Sequence, residues 1–219
     1  MNFSLFLVLI SGMVWVFVYI DSIRIGLKEK TYAMPFWALA LNFAWEALHT
    51  IIGYRVWGLY LQLYINAVWA LIDIGILYTY FRFGRKYYPK NFPPSWFQIW
   101  GVLGLVIAFL IQYLFINEFG LAIGATYAAF LQNLLMSILF IKMLIQRKSS
   151  EGQTLLIGVS KWVGTLAPTI LFGAVGVSGG GTTIPPSSFI LGIGMLISLF
   201  DLIYIGLLAK LKMSRPFTT

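Results

Sequence analysis

Apolar runs separated by short polar stretches recur from one end of the chain to the other, near 3–22, 33–53, 60–81, 97–116, 120–143, 154–176 and 188–209. Each is long enough for a helix to cross the hydrocarbon of a bilayer, which takes about 20 apolar residues. The breaks between them have loop chemistry. Residues 21–32 are charged, 82–94 are basic and contain Pro, 146–153 are polar, and 177–188 are rich in Gly, Pro, Ser and Thr. The pattern predicts an all-α integral membrane protein, a bundle of seven transmembrane helices forming one domain over 1–219 with no soluble second domain.

Basic residues set the expected orientation. Arg24, Lys28 and Lys30 follow the first run, Arg82, Arg85, Lys86 and Lys90 the third, Arg147 and Lys148 the fifth, and Lys210, Lys212 and Arg215 the last; the alternate connections hold only Arg55. Lys and Arg favour the cytosolic side, so the amino terminus is expected outside and the carboxyl terminus in the cytosol. The run from Met1 to Ile20 has neither a basic lead nor a small-residue cleavage site, and is expected to stay as the first span.

Of the 219 residues 60% are hydrophobic and 10% charged, far more apolar than a soluble domain. The net charge of +8 sits at helix ends, where a bilayer explains it, so nucleic acid is set aside as a partner. The chain has no Cys and one His, which removes disulfides and thiol chemistry and makes a transition-metal site unexpected. No cofactor and no obligate protein partner is implied. Gly179-Gly180-Gly181 lacks the Lys-Ser/Thr that follows in a phosphate loop, and reads as a flexible outer loop, a candidate lid.

Ionisable residues inside hydrocarbon are costly, so each is a functional candidate. Glu46, Asp73, Lys161 and Asp201 are such residues. Counted from the cytosolic ends at about 1.5 Å per helical residue, Asn42, Asp73, Asn133 and Asp201 fall roughly 12 to 15 Å deep and Glu46 roughly 20 Å deep, with Lys161 two turns in. Asn42, Trp45, Glu46 and His49 share one face of the second helix; Asn66, Trp69 and Asp73 share one of the third; Gly194, Ser198, Asp201 and Tyr204 share one of the last. These faces are expected to converge on one polar chamber away from lipid. Asp73 reads equally as a partner of Lys161, a helix-to-helix hydrogen-bond acceptor or a site residue. Lys161 reads as a snorkelling or acid-paired side chain, and His49 as an interfacial hydrogen-bonding residue.

The string Met34-Pro35, Ala38-Leu39, Asn42-Phe43-Ala44-Trp45-Glu46 resembles the small membrane-bound terpene cyclases of fungal meroterpenoid and indole-diterpene pathways and their bacterial relatives. The resemblance continues at Gly152-Gln153-Thr154, Gly164-Thr165 and Asp201-Leu202-Ile203-Tyr204, and covers nearly the whole chain. It implies that Glu46 and Asp201 are the essential acids, and that the membrane is the cell membrane of a bacterium or the endoplasmic reticulum of a fungus. It leaves the substrate unnamed.

The residues support the same chemistry. Cyclisation of a polyene starts when an acid protonates an epoxide or a terminal alkene, and burial favours the proton-bearing form of a carboxylic acid. Glu46 or Asp201 is the expected donor, the other holding substrate or orienting the donor. Trp45 and Trp69 would stabilise cations through their ring faces, with Asn42, Asp73, Asn133 and Tyr204 as further substrate contacts. A prenylated, lipophilic substrate would enter from the bilayer. No Asp-rich magnesium cluster appears, so ionisation of a diphosphate is not the expected trigger. The competing class is a proton-coupled carrier with intramembrane acids as relays, against which the absence of internal repeats counts. A retinal-binding receptor would need a lysine where the last helix carries Asp201.

Overall fold

The computed structural model describes residues 3–179 and 182–214. Its helices are α1 (Phe3–Lys28), α2 (Phe36–Trp57), α3 (Leu61–Phe83), α4 (Pro94–Arg147), α5 (Leu155–Ile170) and α6 (Ser188–Met213). A 3₁₀ turn (Gly84–Tyr87) follows α3, a π turn (Leu171–Val175) extends α5, and β1 (Val177–Gly179) pairs antiparallel with β2 (Thr182–Ile184).

Local chemistry fixes the ends. Pro35 precedes the first turn of α2 and Pro94 occupies the first turn of α4, where a missing N–H costs nothing. Thr154 Oγ1 caps Ile157 N at 3.1 Å to open α5, and Ser187 Oγ caps Ile190 N at 3.3 Å to open α6. Pro168 inside α5 removes one amide, and the helix relaxes three residues later into the π turn.

The segment α4 is two helices joined at Gly120, whose φ of 74° and ψ of 166° leave helical space and fold the chain back on itself. Gln112 Nε2 donates to Gln132 Oε1 at 2.7 Å; twenty residues of straight helix would hold them about 30 Å apart. Gly124 permits the close return, since a Cβ there would lie 2.5 Å from the Phe115 carbonyl oxygen. The two arms, α4a (94–119) and α4b (121–147), therefore run antiparallel.

Neighbouring helices close a ring in the order α1, α3, α2, α4, α6, α5 and back to α1. The outward faces are apolar, with Leu71, Ile74, Val106, Leu110, Leu199 and Ile203 exposed, while Glu46, Asp73, Lys161 and Asp201 are buried. Such an inverted surface belongs in lipid. Among the described residues five helices are long and apolar enough to cross a membrane, with α4 counted once; α2, which carries Asn42, Glu46, His49 and Arg55, is not one of them.

One end of the ring is tied by polar contacts. Arg147 Nη1 donates to the carbonyls of Tyr32 and Glu151 at 3.0 and 2.9 Å, and its guanidinium lies 4.4 and 4.2 Å from the Tyr32 and Tyr87 ring centres. Lys86 pairs with Glu151 at 2.5 Å, and Gly152 N donates to Glu29 at 2.6 Å.

Several expected boundaries move. The first apolar run was expected to give way to a charged loop at 21, yet α1 continues to Lys28. Asp21 is buried there, accepting a hydrogen bond from Thr154 Oγ1 and pairing with Arg24, so its charge is satisfied inside the bundle end. Pro35 shifts the start of the second helix to 36, and Gly58, at φ 72°, lets it run on to Trp57. The expected break before residue 120 falls at Gly120. Residues 177–179 and 182–184, expected as an outer loop, pair as two short antiparallel strands; Gly180 and Gly181, like Arg215, lie outside the described residues.

Candidate active site

Spacing along α2 places Asn42 and Glu46 one turn apart on its inner face. Packing brings Tyr19 of α1 and Asp73 of α3 onto the same point. Tyr19 Oη donates to Glu46 Oε1 at 2.6 Å, and Asn42 Nδ2 lies 2.7 Å from Glu46 Oε1, 2.8 Å from Tyr19 Oη and 3.0 Å from Asp73 Oδ2. Asn42 is held in this orientation from behind. Its Oδ1 accepts from Gln132 Nε2 at 3.4 Å, and Gln132 in turn accepts from Gln112 across the α4 hairpin.

Glu46 and Asp73 are each 0% exposed. Among the described residues no Lys, Arg or His pairs with either carboxyl, and Glu46 Oε2 and Asp73 Oδ1 have no hydrogen-bond partner. One amide with two hydrogens and one phenol with one cannot satisfy two neighbouring carboxylates. Two buried like charges without a counter-ion are also strongly disfavoured in a low-dielectric interior.

Beside the cluster lies a cavity of about 550 Å³. Tyr19, Asn42, Trp45, Trp69 and Asn133 line its inner part, and Trp57, Tyr60 and Ile184 line the part toward the hairpin end. Most of the remaining lining is aliphatic or aromatic, including Leu7, Phe130, Leu171 and Phe172. The two indoles have their N–H groups occupied: Trp45 Nε1 donates to the Ala125 carbonyl at 2.9 Å and Trp69 Nε1 to that of Gly12 at 3.3 Å. Hence they offer the cavity rings, not donors. Trp15, Tyr19 and Trp69 pack together with ring centres 5.6 to 6.5 Å apart.

Asp201 lies elsewhere. Both of its carboxylate oxygens are held by Lys161 Nζ, at 2.8 and 2.9 Å, and the same ammonium donates to Ser137 Oγ at 2.7 Å. The single chamber expected from the sequence is thus two clusters, an acid pair joining α1, α2 and α3 and an ion pair joining α4b, α5 and α6. The partner of Lys161 is Asp201, not Asp73, in keeping with α5 packing chiefly against α1 and α6. Tyr204, also expected at the substrate, is 1% exposed, packs on Phe140 at 5.3 Å and does not line the cavity. Neither Glu46 nor Asp73 lines the cavity, but their hydrogen-bond partners Tyr19 and Asn42 do. Those two are the wall residues that touch the acids, and Tyr19 was not among the sequence candidates. The signal was present: Ser11, Trp15, Tyr19 and Ser22 form a helical stripe on α1 at spacings of four, four and three. Among the described residues no group of three His, Asp or Glu side chains is placed to hold a metal.

The bundle thus has a lipid-facing exterior, an aromatic-walled cavity and a buried pair of carboxyls behind its wall, the makings of a membrane protein with a chemically equipped interior. The sequence profile of the Pyr4-like transmembrane terpene cyclases matches residues 2–212, and the chain belongs to that family. It is 30% identical over 174 residues to the Pyr4-family terpene cyclase mfmH of Annulohypoxylon moriforme, covering 76% of this chain and 68% of that protein. It is 27% identical to the terpene cyclase dpchB of Colletotrichum higginsianum (72% and 65% covered) and 28% identical to the terpene cyclase atmB of Aspergillus flavus (73% and 65% covered). The matched stretch spans about two thirds of the length of these curated relatives. No solved structure matches the chain.

Proposed function

We propose that this protein is a metal-independent terpene cyclase that protonates the terminal epoxide or alkene of a prenylated lipophilic substrate and lets the chain fold through successive carbocations. The observation that carries this reading is the Glu46–Asp73 pair, two buried carboxyls without a cation, set directly behind the wall of an apolar, indole-lined cavity. A proton held on the pair is the acid, and Glu46 is its donor, since Glu46 is the carboxyl in contact with Tyr19. The cavity lining is mostly apolar, and the faces of Trp45 and Trp69 are positioned to stabilise the migrating cation by about 0.5 to 2 kcal/mol each. Asp201 serves through Lys161, holding three helices in register around the cavity.

Taking α4a and α4b separately and including the 22-residue α2, which is long enough to cross though more polar than the others, gives seven crossings. The basic residues at the tied end favour a cytosolic placement for it, with the amino terminus outside and the carboxyl terminus in the cytosol. The cavity then opens toward the opposite side of a cell or endoplasmic-reticulum membrane.

Membranes carrying the protein, incubated with a farnesylated aromatic and separately with its terminal epoxide, should give products of unchanged mass and shifted retention by mass spectrometry. Unaltered substrate in both incubations would refute the reading. A proton-coupled carrier would instead move the substrate without isomerising it.

A further inference from the structure

We propose that Tyr19 is the group that delivers the proton to the substrate, acting between Glu46 and the cavity; this rests on the acid-initiated cyclisation proposed above. Glu46 is fully buried and does not line the cavity, whereas its partners Tyr19 and Asn42 do. Of these two, an amide N–H is no acid, which leaves the phenol. The 2.6 Å separation of Tyr19 Oη and Glu46 Oε1 suits proton transfer. The ring itself is clamped, lying against Trp15 at 5.6 Å and edge-on to Trp69 at 6.1 Å, so only the O–H bond needs to turn.

In the resting arrangement the phenol donates to Glu46. When Oε1 carries the proton the same contact runs the other way, and the phenol hydrogen faces the cavity. That hydrogen passes to the epoxide oxygen as the adjacent C–O bond breaks, its electron pair going to the oxygen, and the neighbouring double bond closes on the exposed carbon. For an alkene the hydrogen passes instead to the less substituted carbon of the last double bond, whose π electron pair forms the new C–H bond and leaves a tertiary cation on the other carbon. The Glu46 proton moves to the phenol oxygen, leaving Tyr19 neutral and Glu46 a carboxylate. The final carbocation loses a proton to water, which balances the one that later restores Glu46. Asn42, donating to the phenol oxygen at 2.8 Å, steadies the negative charge that passes through it.

The test compares wild type, Tyr19→Phe, Glu46→Gln and full-length protein carrying 3,5-difluorotyrosine at position 19, in membranes supplied with the prenylated epoxide. Phe keeps the ring packing and removes the hydroxyl; turnover should fall about 10²- to 10⁴-fold with KM little changed. Difluorotyrosine keeps the shape and makes the phenol more acidic, so the rate constant at saturation should change with phenol acidity, which a packing role would not produce. It also covers the case in which Phe at 19 fails to fold. Tyr19→Phe at the wild-type rate with Glu46→Gln inactive would overturn the relay alone. A fluorotyrosine protein with unaltered rate would do the same. Active Glu46→Gln, or inert wild-type membranes, would overturn the cyclase mechanism on which the relay rests.

Discussion

Lys161 Nζ sits between the two carboxylate oxygens of Asp201, 2.8 and 2.9 Å away, with both side chains 1% exposed. A buried ion pair of this kind is costly to assemble but more costly to halve. Asp201→Asn and Lys161→Met should each destabilise the protein by about 3 to 5 kcal/mol, because each leaves one buried charge uncompensated. The double variant Lys161→Met/Asp201→Leu should recover most of that loss, read as the melting midpoint in detergent. Equal melting of the Asp201→Asn and wild-type proteins would mean that the pair does not hold the bundle.

Glu46→Gln keeps the size and hydrogen-bonding reach of the side chain and removes the transferable proton. We expect a folded protein whose cyclisation rate falls by about 10²- to 10⁴-fold, measured as product formed per mole of detergent-purified enzyme.

Trp45→Phe and Trp45→Leu both lose the indole hydrogen bond to Ala125. Their difference therefore isolates the aromatic face. Cation stabilisation predicts rates in the order Trp, Phe, Leu, with the Leu variant releasing partly cyclised products; packing alone predicts equal losses and an unchanged product spectrum. Melting curves separate either effect from unfolding, since truncating a large buried side chain costs about 3 to 5 kcal/mol by itself.

If the proton comes from the Glu46–Asp73 pair as proposed, neither magnesium nor a chelator should alter the rate. A loss of turnover in chelator, restored by added magnesium, would point to ionisation of a diphosphate and would move Asp73 into a metal-holding role.

Reporters in the 82–94 loop and at Thr219 should be accessible from the cytosol, and one in the 177–188 segment from the other side. Labelling of both loops from one side would refute seven crossings.

The polar face of α2 was legible because helical spacing alone aligns Asn42, Trp45, Glu46 and His49, and the break at Gly120 was legible because hydropathy falls there. Which acid meets which partner was not. Depth along a helix axis put Asp73 and Asp201 at the same level, but the order of helices around the ring decides that Asp73 faces Glu46 while Asp201 faces Lys161, and spacing within one helix says nothing of that order. Tyr19 escaped notice for a related reason. A tyrosine in an apolar run reads as packing or interfacial belt until a carboxyl on another helix gives its hydroxyl a task. Asp21 misled in the opposite sense, its charge suggesting a loop although Thr154 draws it into a helix.

The acid pair lies beneath the inner part of the cavity, whereas Trp57, Tyr60 and Ile184 stand at the other end. On the cyclisation proposed above, such a pocket would work as a ruler. The reactive tip of a prenyl chain would have to go in first and reach bottom before chemistry could begin, leaving the opposite end of the molecule near Trp57, Tyr60 and Ile184. Chain length is then measured against a fixed depth, while the head group is judged only by the side chains around the mouth, so changes at the rim should retune which heads are accepted without disturbing the step that starts the cyclisation.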